Sequence, residues 1–315
     1  MTDSHRHAYL IMAHNNFELL AALISALDDP RNDLFLHIDI KAGEYDSQPL
    51  RQAAEFSNVF FADRRFDVTW GAYSQIECGL YLYEYALQHG DYRYLHLMSG
   101  IDFPLKSQDE IHAFFRENDG KELVHFSAPE FNEEIVRRYR VYHPFQSRIG
   151  KKQNLLYQIE RCIVKAQLVL KHPRRDLTPP SGGGELLTFC GGACWNSITG
   201  DFARYLLQQR AVIKQYFDKT ICADEIYIQT ILYNSPFYSN AYVPEFTRDQ
   251  RGCQRYTDFT RGNPYTFEIG DFDELMNSGY LFARKFGIDT PAQTELVRKL
   301  YPLVVSPDKK KQIVI

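Results

Sequence analysis

Short apolar runs alternate with amphipathic segments over the first part of the chain, and this alternation restricts the possible folds more than any other feature. Four runs have the length and apolar character of buried strands, namely residues 8–13, 34–38, 59–61 and 94–98. Helical periodicity follows the first of them, and a second helical segment runs from about Ser74 to Leu87. Because strands that alternate with helices pair in parallel, we predict an α/β fold with a mostly parallel sheet flanked by helices.

Polar residues follow three of these strands and indicate where a ligand would bind. His14 follows the first strand, Asp39 the second, and the sequence Ser99-Gly-Ile-Asp102 the fourth. Ligands of open parallel sheets gather at the carboxyl ends of the strands, so we expect these side chains along one edge. No Gly-rich dinucleotide fingerprint follows the first strand, which argues against a nicotinamide or flavin enzyme.

The size and composition of the chain suit one large globular domain. The chain has 315 residues, of which 44% are hydrophobic and 24% charged. We predict a single domain over residues 1–315, with a nucleotide-binding half at about 1–125 and an acceptor-binding and catalytic half at about 126–315. The net charge of −4 gives no indication of nucleic-acid binding.

Several absences from the sequence bear on compartment and cofactors. No apolar run reaches the roughly 18 residues of a membrane helix, and the first residues lack the apolar core of a signal peptide. The six cysteines form no CxxC pair, so neither a zinc site nor a disulfide framework is indicated. We therefore expect a cytoplasmic protein with free thiols.

Residues 148–175 are strongly basic in a chain of negative net charge. They contain eight basic residues and one acid, Glu160, which gives 8 − 1 = +7. Apolar residues recur there at helical spacing: Leu155, Leu156, Ile159, Ile163, Ala166 and Val169. We predict one long helix, which would either lie on an anionic membrane or pack its apolar side on the core with a solvated basic face. The sequence leaves both interpretations open.

The acidic pair Asp224-Glu225 stands where a loop turns into a helix. We predict that Asp224 caps this helix and that Glu225 lies in its first turn, where the helix dipole favours an anion. A carboxylate fixed at such a place can act as a general base, although capping alone would also explain both acids.

Several short motifs occur in a fixed order along nearly the whole chain. They are Ala8-Tyr-Leu-Ile-Met-Ala-His14, Leu36-His-Ile-Asp39, Trp70-Gly71 with Ser74, Ser99-Gly-Ile-Asp-Phe-Pro104, Gly191-Gly-Ala-Cys-Trp195, Asp224-Glu225 with Thr230, residues 255–264, and Leu281-Phe-Ala-Arg-Lys-Phe286. In these motifs and their order the chain resembles the core-2/I-branching N-acetylglucosaminyltransferase family, which also contains the peptide O-xylosyltransferases. The resemblance implies a GT-A-like fold, a UDP-sugar donor, inversion at the anomeric carbon and, in the branching members, no metal cofactor.

The resemblance also implies roles for the charged residues that would carry the reaction. Glu225 matches the base that accepts the proton of the attacking hydroxyl. Lys285 matches the lysine that binds the donor diphosphate, with Arg284 beside it. Arg261 is a second, weaker candidate for the diphosphate. Fixed cations of this kind would stabilise the charge of the leaving group where no metal does so.

Other residues match positions that bind the nucleotide or the acceptor. Asp39 matches the acid that binds the uracil, and Arg65 is a looser candidate for nucleotide binding. Phe259 falls where the branching enzymes place an aromatic ring against the acceptor sugar. Trp195 and Asp102 are also assigned to the acceptor site. For Phe259 and Trp195, burial in the core is an equally good interpretation.

We therefore predict an inverting glycosyltransferase that moves N-acetylglucosamine or xylose from a UDP-sugar to a hydroxyl of a glycan or lipid-linked glycan. The lack of the membrane anchor and lumenal disulfide pattern of the animal relatives favours a bacterial-type enzyme of surface-polysaccharide synthesis, cytoplasmic or peripheral on the inner face of the membrane. One alternative is a binding protein on the same fold without turnover. Another is a metal-dependent transferase that uses Asp102 or the DxD motif of Asp271 and Asp273, although Asp271 is placed to cap a helix.

Overall fold

The computed structural model describes residues 5–131, 134, 138–170 and 187–305. The strands are β1 His7–Ala13, β2 Asn32–Ile38, β3 Asn58–Phe61, β4 Tyr94–Ser99, β5 Asp102–Pro104, β6 Asn196–Thr199, β7 Arg255–Thr257 and β8 Phe282–Arg284. The helices are α1 Phe17–Leu27, α2 Gln48–Gln52, α3 Ser74–His89, α4 Gln108–Glu117, α5 Gln146–Ile149, α6 Leu155–Val169, α7 Gly200–Gln208, α8 Arg210–Phe217, α9 Tyr227–Tyr233, α10 Phe272–Asn277 and α11 Pro291–Val304.

The central sheet has the strand order β3-β2-β1-β4-β6. The first four strands are parallel, and β6 runs antiparallel to β4. Ala13 pairs with Ile38, and Met12 pairs with Ser99, so β1, β2 and β4 end at the same edge. The predicted α/β class and the shared edge after these three strands are confirmed.

Hydrophobic layers cover both faces of this sheet. Leu10 of β1 belongs to the layer that contains Ile76 and Leu80 of α3. Its neighbour Ile11 belongs to the opposite layer, which contains Leu20 of α1. Successive side chains of a strand point to opposite faces, which is why a buried parallel strand is apolar throughout.

A small second sheet joins the last quarter of the chain to the end of β4. Its order is β5-β8-β7, with β8 antiparallel to β5 and parallel to β7. Asp102 of β5 pairs with Arg284 of β8. This pairing places the cations that the sequence assigns to the diphosphate next to the ligand edge of the main sheet.

The predicted helix over 148–175 is wrong in its extent, and the alternative in which its apolar side packs on the core does not hold for Leu155, Ile159 and Val169. The chain forms α5, turns at Gly150 with φ of 55°, and restarts at α6 with Asn154 as its cap. Residues 171–175 lie outside the described residues. In α6 the buried residue is Glu160, whereas Leu155 and Val169 are exposed.

Two further segments show the limits of the apolar pattern. Residues 123–126 have the pattern of a buried strand but form only an isolated bridge, from Leu123 to Ser197. The strand β6 was not predicted from the sequence. In the described part of the chain no helix is long and apolar enough to span a membrane.

Candidate active site

The segment 191–195 connects the predicted base to the predicted diphosphate site. The Gly192 N–H donates to the Glu225 carbonyl at 2.9 Å. Three residues on, the Trp195 ring lies 4.9 Å beneath the Arg284 guanidinium. A Cβ on Gly192 would come within 1.7 Å of the His125 carbonyl oxygen, so only glycine allows this close approach. The segment therefore fixes Glu225 and Arg284 relative to each other.

Glu225 ends a short 3-10 turn, Ala223–Glu225, that precedes α9. Its side chain is 41% exposed, and Arg138 Nη1 donates to Glu225 Oε2 at 2.5 Å. Arg138 Nη2 also pairs with Glu134 Oε1 at 2.7 Å. Burial alone would lower the pKa of Arg138, but the charges of Glu225 and Glu134 raise it. The guanidinium stays charged and holds one oxygen of Glu225 in place.

Asp224 does not cap a helix, contrary to the prediction. Cys222, in a left-handed conformation, precedes the 3-10 turn, and α9 begins only at Tyr227. Gln75 Nε2 donates to Asp224 Oδ2 at 2.8 Å, and Asp224 Oδ1 is shielded from solvent with no partner in the described part of the chain. Burial raises the pKa of the Asp224 carboxyl to about 7, and the negative charge of Glu225 adds to the rise. Asp224 therefore carries a proton below neutral pH.

Arg284, Asp102 and Trp195 form one cluster at the junction of the two sheets. Arg284 Nε lies 3.3 Å from Asp102 Oδ1, and the Asp102 side chain is completely buried. Ser99 Oγ donates to the same carboxylate at 2.6 Å. Trp195 is only 8% exposed, and its Nε1 is shielded and unpaired among the described residues. The carboxylate of Asp102 thus keeps the guanidinium of Arg284 beside the Trp195 ring.

The two other candidate cations for the diphosphate have different surroundings. Among the described residues, no carboxylate lies within 4 Å of Lys285 Nζ. Arg261 instead pairs with Asp258, with Asp271 at 2.5 Å and with Glu274 at 2.9 Å. Three carboxylates neutralise Arg261, so its guanidinium is already occupied.

The same ion pairs bear on the DxD motif. The Asp271 carboxylate accepts from Arg261 and from the Glu268 N–H at 2.8 Å, and α10 begins after it without a side-chain cap from Asp271. Asp273 is exposed. Within residues 5–131, 134, 138–170 and 187–305, no group of three or more His, Cys, Asp or Glu side chains is placed to hold a metal.

The predicted uracil site lies directly after β2. Asp39 is 5% exposed and accepts from the Lys41 N–H at 2.8 Å and the Val68 N–H at 3.0 Å. Arg65 donates to the carbonyls of Ile38, Asp39 and Gly43. The guanidinium of Arg65 therefore holds the loop that carries Asp39.

Phe259 lies on the surface, with 56% of its area exposed. It lines a cleft of about 550 Å³ together with Tyr256, Arg261 and Tyr280. Burial in the core is thus excluded for Phe259, and its ring is free to contact a ligand. Trp195 is buried, as one of its two interpretations expected, and its ring also contacts Arg284.

The sequence did not identify two residues of the site, Arg138 and Gln75. Arg138 lies 87 residues from Glu225, in a stretch rich in Arg and Tyr. Gln75 lies 149 residues from Asp224. Neither spacing has a local periodicity that a sequence pattern could reveal.

Comparisons with known proteins identify the family of the chain. The Core-2/I-Branching enzyme family matches residues 7–274. A mouse N-acetyllactosaminide beta-1,6-N-acetylglucosaminyl-transferase is 26% identical over 315 residues, which cover 95% of this chain and 70% of that protein. A human beta-1,3-galactosyl-O-glycosyl-glycoprotein beta-1,6-N-acetylglucosaminyltransferase is 25% identical, over 90% of this chain and 66% of that protein. Among solved structures, apo mouse xyloside xylosyltransferase 1 has 13% identity and a TM-score of 0.36, over 90% of this chain and 99% of that one.

The family match includes Asp39, Trp195 and Glu225 and ends before Arg284 and Lys285. It covers most of the chain, and the mostly parallel sheet flanked by helices agrees with the GT-A-like fold that the resemblance implied. The chain belongs to the core-2/I-branching enzyme family of glycosyltransferases.

Proposed function

We propose that this glycosyltransferase moves N-acetylglucosamine from UDP-N-acetylglucosamine to a hydroxyl of a glycan by single displacement, with inversion. The observation that carries the proposal is the connection of Glu225 to Arg284 through the segment 191–195. The segment contacts both the proposed base and the proposed cation. In a single displacement the base would act on the attacking oxygen, and the cation would act on the departing oxygen across the reacting carbon.

Glu225 supplies the base. The acceptor oxygen attacks the anomeric carbon while the bond from that carbon to the UDP oxygen breaks, and the hydroxyl proton passes to the carboxylate. Arg138 holds Oε2 of Glu225, which leaves the other oxygen to take up the proton. A positioned oxygen lowers the entropic cost of reaching the reactive geometry.

Arg284 and Lys285 supply positive charge for the departing diphosphate. Arg284 is fixed by Asp102 below and by the Trp195 ring, so its charge needs little rearrangement when the bond breaks. Lys285 follows on the same strand end and is free of carboxylates among the described residues. We assign no diphosphate contact to Arg261, because three carboxylates occupy it.

The donor and acceptor are proposed on separate grounds. The mouse and human relatives are named as N-acetylglucosaminyltransferases, which favours this sugar over xylose. Asp39 lies at the ligand edge, where its carboxylate would accept from the uracil N–H, and Arg65 keeps its loop in place. The exposed ring of Phe259 suits an acceptor sugar. A lipid-linked glycan used in surface-polysaccharide synthesis on the cytoplasmic side fits this scheme.

The variant Glu225→Gln tests the assignment of the base. Its amide oxygen can still accept from Arg138, but it cannot take up a proton at neutral pH. We expect UDP release in the presence of acceptor to fall by about 10²-fold or more, the scale of general-base loss. UDP affinity, measured by calorimetry, should stay within about twofold of the native value.

The matched control is Glu134→Gln. It makes the same change of charge on the other carboxylate of Arg138, which is 65% exposed. We expect turnover near the native level for this control. Native turnover in Glu225→Gln, or an equal loss in both variants, would remove Glu225 from the role of base.

A further inference from the structure

A line of apolar side chains on α6 faces solvent. Leu155, Ile159, Cys162, Ala166 and Val169 recur at alternating spacings of four and three residues, which places them along one side of the helix. All five are exposed, Leu155 at 77%, Ile159 at 44% and Val169 at 79%. We call this line the α6 stripe. Exposed apolar residues on an ordinary protein surface are scattered singly, whereas these form a continuous line along one helix.

Polar contacts on the other side of α6 fix the rotation of the helix. Glu160 is buried and accepts from the Phe145 N–H at 2.7 Å, with His143 Nδ1 at 3.1 Å. Gln167 makes two hydrogen bonds with the backbone of Tyr142, at 2.9 and 3.0 Å. Turning the α6 stripe inwards would expel these polar groups from their partners. The exposure of the stripe is therefore built into the fold.

The charge around the stripe has one sign. Residues 146–170 contain five basic side chains, all exposed, and their only acid is the buried Glu160. These basic residues are Arg148, Lys151, Lys152, Arg161 and Lys165. Two copies of this face would repel each other, whereas an anionic surface would attract it. A basic helix with an exposed apolar side is typical of binding in the interface of a membrane.

The segment that leads into α6 lies near the turn that carries the proposed base. Lys151 Nζ lies 5.3 Å from the centre of the Trp70 ring, which is itself 47% exposed. The next residue, Gly71, accepts a hydrogen bond from the Cys222 N–H at 2.9 Å. Cys222 starts the turn that ends at Glu225. A membrane that contacts both α6 and Trp70 would thus lie near the turn that carries Glu225, because Gly71 links Trp70 to Cys222.

We propose that the α6 stripe, with the basic residues around it and Trp70, docks the enzyme on a membrane that carries anionic lipids. The apolar residues enter the boundary between headgroups and acyl chains, and the basic residues contact the headgroups. The docking itself does not depend on the proposed reaction. Its use, bringing Glu225 to an acceptor glycan on a lipid, rests on the proposed function.

Co-sedimentation of the full chain with lipid vesicles tests the proposal. We expect binding to mixed phosphatidylglycerol and phosphatidylcholine vesicles at low salt, little binding to phosphatidylcholine alone, and weaker binding as salt rises. The triple variant Leu155→Gln, Ile159→Gln, Val169→Gln should bind at least about tenfold more weakly, because most of the buried apolar area is lost. The double variant Arg161→Gln, Lys165→Gln should bind about 10- to 30-fold more weakly and with a shallower salt dependence, because two of the five basic residues are removed.

The control variant carries Leu303→Gln and Lys214→Gln, which are exposed positions on α11 and α8. It should bind vesicles as the native protein does, and every variant should keep its thermal shift with UDP. The variant Glu225→Gln should also bind vesicles normally, so failure of the catalytic assignment and failure of docking can be told apart.

Three outcomes would overturn the docking proposal. The first is an absence of binding to anionic vesicles at low salt. The second is equal binding by the native protein and the stripe variant. The third is a native dimer by light scattering that becomes a monomer in the stripe variant, because a second copy would then cover the stripe.

Discussion

Lys285 and Arg261 give a direct test of how the structure assigns positive charge. Both were candidates for the donor diphosphate, but only Arg261 is held by three carboxylates. We expect Lys285→Ala to damage UDP binding and rate while leaving stability nearly unchanged. We expect Arg261→Ala to damage stability and to leave UDP binding nearly unchanged.

The magnitudes follow from the surroundings of each side chain. Loss of a hydrogen bond to a charged group costs about 1.5–3 kcal/mol, so Lys285→Ala should weaken UDP binding by roughly 10- to 150-fold. Arg261→Ala leaves Asp258 and Asp271 without their cation, and their side chains are 8% and 9% exposed. Breaking a fully buried pair costs about 3–5 kcal/mol, but Arg261 is 37% exposed, so we expect about 2 kcal/mol after screening.

Calorimetry with UDP and thermal unfolding measure the two effects on the same preparations. A destabilisation of about 2 kcal/mol should lower Tm by several degrees in a chain of this size. Lys285→Arg should recover much of the affinity because it keeps the charge. Native UDP affinity in Lys285→Ala would refute the assignment, as would lost affinity with an unchanged Tm in Arg261→Ala.

Three further predictions concern protons and metal. Asp224→Asn should remove a pH dependence of stability. The pKa of the native carboxyl is raised to about 7, so this group takes up a proton on folding between roughly pH 4 and 7. Over that range the stability of the native protein should fall by about 1.4 kcal/mol for each unit by which pH rises. Equal slopes for the native protein and this variant in urea titrations at several pH values would contradict it. His112→Gln should change the slope in the opposite sense. Burial lowers the pKa of His112 to about 4, so the native protein loses about 1.4 kcal/mol of stability per pH unit as pH falls from about 6.5 to 4, and the free energy of unfolding of the variant should fall less steeply over this range. Turnover should survive excess EDTA, since Arg284 and Lys285 provide the charge; complete loss with rescue by Mn²⁺ would return Asp102 or the DxD motif to consideration.

The alternation of apolar and amphipathic segments was enough to predict the sheet and its ligand edge. The bounds of β1 to β4 agree with the predicted runs to within about two residues, because parallel strands buried on both faces are apolar throughout. The strand β6 was missed because its Asn196 and Ser197 are polar and yet fully buried. Such a strand carries no apolar pattern.

The sequence predicted those site residues that stand in a short local motif, but not the partners that the fold brings to them from distant positions. Glu225 stands at the start of a helical segment, and the sequence shows that position. Its partner Arg138 lies 87 residues away, so their pairing depends on the tertiary fold. Helical spacing showed that α6 is amphipathic, but it could not show which side faces the protein. The buried contacts of Glu160 and Gln167 decide that.

The pairing of β8 with β5 also affects when the enzyme becomes active during synthesis. Glu225 and Asp39 leave the ribosome well before Arg284 and Lys285. Until β8 has been synthesised, Asp102 lacks its ion pair with Arg284. Phe103 likewise lacks the ring of Phe286, whose centroid lies 5.6 Å from its own in the folded protein. We expect a nascent chain to hold the base without the charge that stabilises the departing UDP.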